Sequence, residues 1–205
     1  MKLPHAGAAA ACVLGLGLGL SPALPAARAA EPSFDCGKVE AGSMPGLVCS
    51  DDGLAALDRK MAAVYAAATA KASGSKLSEL KAEQRGWIKG RDDCWKSADK
   101  RGCVEQAYVL RIAELQAAYA LVPATGHAVY LCEGQAGKRV TATYFQTEPP
   151  TAIAGFGGQT AVMFQQPAAS GAKYQGRNET LWEHQGEALI GWGYGNPEMR
   201  CRVSR

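Results

Sequence analysis

The stretch Leu121-Val122-Pro123-Ala124-Thr125-Gly126-His127 divides the chain into two halves with different hydrophobic periods. Upstream, Leu54, Leu57, Met61, Val64 and Ala68 recur at three- and four-residue steps, the spacing of one helix face. Ser50 or Asp51 can cap the first turn, and Ser73-Gly74-Ser75 ends the segment. A second helix places Leu77, Leu80, Gln84, Trp87, Ile88, Arg91 and Trp95 on one side. A third runs from about Val104 to Leu121, carries Tyr108, Ile112, Leu115 and Tyr119, and stops before Pro123. Short connections make neighbouring helices antiparallel.

Downstream, the helical period disappears. Ala128–Cys132, Lys138–Phe145, Thr151–Phe156, Thr160–Gln166, Ala172–Gly176, Thr180–Glu183, Ala188–Trp192 and Met199–Val203 read as short extended segments, most of them separated by Gly, Pro or Asn. In Lys138–Phe145, Val140, Ala142 and Tyr144 fall on one face and Thr141 and Thr143 on the other. About seven or eight strands in so short a stretch predict a small antiparallel barrel or sandwich. The expected fold is therefore two domains: an N-terminal disulfide-stapled all-α three-helix bundle and a C-terminal small all-β antiparallel barrel.

The first thirty residues have the pattern of an export signal. Lys2 precedes an apolar run from Ala6 to Leu20, Pro22 and Pro25 break it, and Ala27-Arg28-Ala29 supplies small residues for cleavage near Ala29 or Ala30. Cys12 is not read as a lipid anchor, because no Leu or Val stands three residues before it and most of the apolar run follows it. The organisation expected is a signal at 1–30, a helical domain at 31–122, a linker at 123–127 and a barrel at 128–205. A soluble periplasmic protein follows from this reading.

The exported chain keeps Cys36, Cys49, Cys94, Cys103, Cys132 and Cys201. An even number in an oxidising compartment reads as three disulfides. The start of the first helix, the end of the second and the start of the third lie at one end of the bundle. Cys36, Cys49, Cys94 and Cys103 therefore cluster there. Local pairing, Cys36 with Cys49 and Cys94 with Cys103, is the first choice; a crossed pairing, Cys36 with Cys94 and Cys49 with Cys103, is the alternative. Joining Cys132 to Cys201 would tie the first strand to the last, contributing roughly 4 kcal/mol on the chain-entropy model. No Cys-x-x-Cys occurs, and only His127 and His184 remain beyond the signal, so no metal or other cofactor is expected.

The formal charge of +3 includes Lys2 and Arg28, which belong to the signal. The remainder is nearly neutral and lacks the basic footprint of a nucleic-acid binder. No assembled acid, base or nucleophile suggests catalysis, so the chain is not read as an enzyme.

One motif stands out in the C-terminal half. Ser170-Gly171-Ala172-Lys173-Tyr174 is a small-residue turn leading into an aromatic, followed by Leu181-Trp182 and Glu187-Ala188-Leu189 and flanked by Cys132 and Cys201. In order and spacing these residues resemble the C-type lysozyme inhibitors of Gram-negative bacteria, the MliC/PliC family. The resemblance implies a small disulfide-bonded β-barrel whose Ser-Gly loop enters the lysozyme cleft. The role of cleft-inserting residue carries to Ser170, whose hydroxyl both donates and accepts and so suits a protonated Glu beside an ionised Asp. Gly171 allows close approach, and Tyr174 would anchor the loop, its ring buried and its hydroxyl hydrogen-bonded.

The family's second contact is a lysine in a Trp-x-Lys-Gly-x-Glu-Ala segment. Here Trp182-Glu183-His184-Gln185-Gly186-Glu187-Ala188 keeps the outer spacing but places His184 at the lysine position and shifts the glycine by one. His184 and Trp182 are the corresponding secondary contacts, and Lys173 could supply the missing charge. Weaker inhibition, or a different preferred lysozyme, is expected. In the N-terminal half, Phe34-Asp35-Cys36, Leu47-Val48-Cys49, Leu54-Ala55-Ala56-Leu57-Asp58, Gln84-Arg85-Gly86-Trp87, Arg91-Asp92-Asp93-Cys94 and Tyr108-x-x-Arg111-Ile112 resemble the LprI-like family of small exported helical domains. A mycobacterial member of that family is regarded as a lysozyme inhibitor. Core packing and helix-face salt bridges also account for Trp87, Tyr108 and Arg91.

These resemblances imply a stoichiometric inhibitor whose partner is a C-type lysozyme, with the helical domain a second inhibitory or partner-binding module. The alternative is a non-catalytic envelope scaffold that binds a periplasmic protein without inhibiting lysozyme. Access of Ser170 to solvent separates the two.

Overall fold

The computed structural model describes residues 31–133 and 139–204; the stretch 1–30 expected to be an export signal, with Cys12, and Lys138 lie outside them. A short 3-10 turn, Cys36–Lys38, leads to helices α1 (Met44–Ser50), α2 (Asp52–Lys71), α3 (Gly74–Asp92) and α4 (Lys100–Ala118). Capping fixes three of the starts: Ser43, Asp51 and Asp99 accept bonds from the Gly46, Leu54 and Gly102 amides. The three expected helices are present, and α1 is an addition. Its sequence, Met-Pro-Gly-Leu-Val-Cys-Ser, has poor helix propensity. The Ser43 cap, the Cys36–Cys49 disulfide and the burial of Met44 and Val48 hold it. Cys94 and Cys103 form the second local disulfide, so the crossed alternative is not formed.

The bundle core gathers Val48, Leu54, Met61, Leu80, Val104, Tyr108, Ile112 and Leu115. Two residues expected on the packed side of α3 are exposed instead, Ile88 at 41% and Trp95 at 59%. For Trp95 the reason is local: α3 ends at Asp92 and a 3-10 turn, Asp93–Lys96, follows, so the helical period no longer applies.

Eight strands follow in a simple meander: β1 (Ala124–Cys132), β2 (Arg139–Phe145), β3 (Thr151–Phe156), β4 (Gln159–Gln166), β5 (Ala172–Gln175), β6 (Glu179–His184), β7 (Glu187–Trp192) and β8 (Met199–Val203). All pairings are antiparallel, and β8 returns to β1 to close the barrel. Closure leaves no free sheet edge. Cys132 and Cys201 stand opposite each other in the closing pair and are disulfide-bonded. Inside lie Tyr130, Val140, Ala142, Ala152, Ala154, Met163, Leu181 and Ile190. Residues 124–127, expected as a linker, are the first part of β1, where Ala124 to His127 run beside Phe145 to Thr143.

The register assigns the loops to two ends. The β2–β3, β4–β5 and β6–β7 connections share the end where β1 begins and β8 finishes. The β3–β4, β5–β6 and β7–β8 connections lie at the other. Helix α4 packs against β3 and β4, joining the two halves. Among the described residues, no helix is long and apolar enough to cross a membrane.

Candidate functional site

The β4–β5 connection, residues 167–171, carries Ser170 and Gly171 out of the barrel, and both are exposed. Three features fix its shape. Gly171 adopts φ +69°, the left-handed region that disfavours any side chain. A Cβ there would also overlap the Glu183 carbonyl and approach His184 Cβ, so the backbone passes directly over β6. The Trp182 indole Nε1 then donates to the Ser170 carbonyl at 3.0 Å, tying the residue before the turn to the same strand. Ser170 Oγ is left facing solvent on a braced backbone.

The strand register explains how distant positions meet. Ala172, Lys173 and Tyr174 pair with Glu183, Trp182 and Leu181, so the loop grows out of the β5–β6 ladder. Tyr174 is buried, as expected, and its ring meets that of Tyr144 at 5.4 Å between centroids. Its hydroxyl finds no hydrogen-bond partner among the described residues; the bond forms instead between the Tyr130 and Tyr144 hydroxyls, at 2.7 Å. Burial pushes the Tyr174 phenol above its usual range, which keeps it protonated and neutral. Burial, followed by the hydroxyl bond, raises Tyr144 in the same direction.

His184 ends β6 and is exposed beside this loop. It opens a two-residue turn in which Gln185 and Gly186 have φ +52° and +83°. Both positions of such a turn require left-handed backbone, so the shifted glycine leaves Gln185 in a conformation that glycine would adopt more easily. Glu183 Oε1 accepts from the Gly186 amide at 3.1 Å and stabilises the turn. A pocket of about 290 Å³ beside it is lined by Trp182, His184, Glu187, Leu189, Arg200 and Arg202, among others. The structure thus brings Ser170, Gly171, Trp182, Lys173 and His184 to one side of one barrel end. Reading the sequence missed the part played by Glu183, whose carbonyl underlies Gly171. Strand pairing alone reveals that contact.

The helical half holds a different arrangement. Asp58 accepts bonds from the Tyr108 hydroxyl at 2.8 Å and from the Ser33 hydroxyl and amide at 2.6 Å each. Arg91 donates to Tyr108 Oη at 2.6 Å and pairs with Asp92 at 2.7 Å. Its guanidinium lies 5.8 Å from the Trp87 ring centre. Trp87 in turn meets Tyr108 edge-on at 5.2 Å and donates to the Ala107 carbonyl. Of the motif residues of this half, Asp58, Arg91 and Tyr108 are buried and form one polar network.

A disulfide-held helical bundle joined to a closed barrel with a braced Ser-Gly loop defines a two-part, disulfide-bonded class of protein. Residues 36–125 match the family model described as Lysozyme inhibitor LprI. Residues 130–199 match that described as Membrane-bound lysozyme-inhibitor of c-type lysozyme. Over 183 residues the chain is 33% identical to the Lipoprotein LprI of Mycobacterium bovis, covering 89% of this chain and 90% of that protein. The Lipoprotein LprI of Mycobacterium tuberculosis matches to the same extent. The chain belongs to the LprI family. No solved structure matches it.

Proposed function

We propose that this chain is an envelope-located inhibitor of C-type lysozyme that binds stoichiometrically by inserting the Ser170-Gly171 loop into the enzyme's cleft. The observation that carries the reading is the exposed Ser170 on a backbone braced by Trp182 and pressed over β6. A narrow, preformed projection loses little freedom on binding, so more of its contact energy appears as affinity. The Ser170 hydroxyl can donate to the ionised carboxylate of the cleft while accepting from the protonated one. Trp182 and His184 flank it, and the histidine makes a shorter second contact than the family's lysine. Both matched families are lysozyme inhibitors by description, which supports assigning the activity to the whole chain. That the relatives are lipoproteins supports an envelope location.

The test is lysis of a cell-wall suspension by a C-type lysozyme, titrated with the oxidised chain and with Ser170→Trp. Inhibition saturating near one chain per lysozyme and lost in the variant is expected. Equal inhibition by wild type and variant would remove the loop from the mechanism. No inhibition by the wild type across pH 5 to 8 would favour a scaffold role, to which the His184 substitution already points.

A further inference from the structure

Phe34, Asp58, Gln84, Trp87 and Arg91, all from the sequence motifs of the helical half, line one groove between the segment before α1, helix α2 and helix α3. Its volume is about 420 Å³, within the roughly 300–1,000 Å³ typical of small-ligand sites. The walls are apolar and largely aromatic. Phe34, Tyr65 and Trp87 are half-buried there, and Ile88 stands at the rim, 41% exposed. The floor is polar: Asp58, Gln84 and Arg91 are each nine-tenths or more buried.

The floor holds donors without acceptors. Gln84 Oε1 accepts from Arg111 Nε at 3.2 Å, and Arg111 lines a different groove, between α3, α4 and β4. A guanidinium can only donate, so the Gln84 carboxamide keeps its oxygen towards Arg111 and turns its NH₂ group the other way. No described residue accepts from that NH₂ group. Among the described residues the side-chain polar atom sealed from solvent without a partner is Thr69 Oγ1, so the Gln84 donors open to the groove. Arg91 donates to Asp92 and Tyr108, and its guanidinium keeps further N–H groups without an acceptor among the described residues.

Charge decides what these donors can take. Arg91 already faces Asp92 directly and Asp58 through the Tyr108 hydroxyl. That guanidinium is neutralised, and burying a further carboxylate beside it is costly. The floor therefore suits neutral oxygen, a hydroxyl or an amide carbonyl, on a group whose apolar face lies against the rings. The rim suits the opposite. Lys81, Arg85 and Lys89 follow at four-residue steps on α3, each exposed and without a carboxylate partner among the described residues. Lys81 lies three residues before Gln84 and Arg85 three before Ile88, so this cationic row runs beside the groove.

We propose that this groove is a glycan site, taking an N-acetylated sugar of a carboxylate-bearing cell-wall strand. The C–H face of the sugar lies against the aromatic walls. Its acetamido carbonyl accepts from Gln84, its hydroxyls accept from Arg91, and the carboxylates of the strand lie along Lys81, Arg85 and Lys89. A peptide fits less well, because its backbone N–H groups need acceptors and Asp58 already accepts from Ser33 and Tyr108. The site is independent of the Ser170 loop and would hold the chain on the polymer that lysozyme cleaves.

The test is co-sedimentation of the full oxidised chain with purified peptidoglycan sacculi, beside tryptophan-fluorescence titrations with tri-N-acetylchitotriose and with cellotriose, which lacks the acetamido groups. Sacculi and the acetylated trimer should bind, and cellotriose about tenfold more weakly. Gln84→Glu keeps an oxygen towards Arg111 and removes the donors; it should weaken both ligands about tenfold. Tyr65→Ala, in the wall, should weaken both as well. Lys81→Glu with Arg85→Glu should weaken sacculi alone, and Trp95→Ala and Ser170→Trp should bind as the wild type does. Binding that survives both Gln84→Glu and Tyr65→Ala, or falls equally in Trp95→Ala, overturns the site. So does a wild type that binds neither sacculi nor the acetylated trimer, and cellotriose binding as tightly as that trimer overturns the acetamido assignment. A chain that binds sacculi without inhibiting lysozyme removes the inhibitor reading and leaves this one; inhibition without such binding does the reverse.

Discussion

The two halves stabilise a small disulfide-bonded domain in opposite ways. The bundle buries charge: Asp58, Arg91 and Arg111 are each at most 6% exposed; Tyr108 joins Asp58 to Arg91, and Gln84 accepts from Arg111. Its two disulfides span 13 and 9 residues and staple only local segments. The barrel interior is almost wholly apolar, and its single bridge spans 69 residues and locks first strand to last. The barrel frame is thus closed by hydrogen bonds, apolar packing and one long tie, which leaves its end loops free to specialise. In the bundle the polar network is interior, and Asp58, Arg91 and Tyr108 of its motifs hold the fold.

The largest stability effect should separate the two kinds of bridge. Cys132→Ala with Cys201→Ala is expected to cost about 4 kcal/mol, against about 3 for Cys94→Ala with Cys103→Ala, because the longer loop gains more entropy when opened. Urea unfolding of the two variants measures both. A greater loss at the short bridge would break the contrast between the halves.

Next comes the polar interior. Tyr108→Phe leaves a buried carboxylate and a buried guanidinium each short of a bond, and should cost about 2–3 kcal/mol. Tyr144→Phe removes only a bond between two neutral hydroxyls and should cost about 1 kcal/mol. Equal losses in thermal unfolding would show that the barrel depends on polar contacts as much as the bundle does.

The smallest effect has the opposite sign. Gln185→Gly relieves the left-handed backbone of the β6–β7 turn and should stabilise by about 1 kcal/mol. A loss of stability there would mean that the Gln185 side chain contributes a contact outweighing the strain.

The long elements were legible because their apolar spacing is directly periodic. The helices carrying Leu54 to Ala68 and Tyr108 to Leu115, and strands such as Thr151–Phe156, follow from local pattern. Helix α1 was not, since it is short and Gly46 argues against helix, and the Ser43 cap, the Cys36–Cys49 bridge and the burial of Met44 and Val48 together override that. The start of β1 was hidden because Pro123 and Gly126 look like a linker, while register with Phe145 and Tyr144 makes it a strand. At the site, the Ser170 motif and the Gly171 conformation could be anticipated from residue type. The Trp182 bond to Ser170 and the Glu183 carbonyl beneath Gly171 could not, because β5–β6 pairing creates both. Periodicity alone puts Trp95 on a packed face, because it carries no sign that α3 stops at Asp92.

The most direct measurement of the central claim is competition for the lysozyme cleft. Binding of the oxidised chain to a C-type lysozyme would be measured at rising concentrations of a chitin oligosaccharide that fills the cleft. Insertion of the Ser170-Gly171 loop predicts an apparent dissociation constant that rises in inverse proportion to the fraction of clefts left empty. A constant that stays unchanged while the cleft is saturated would contradict it.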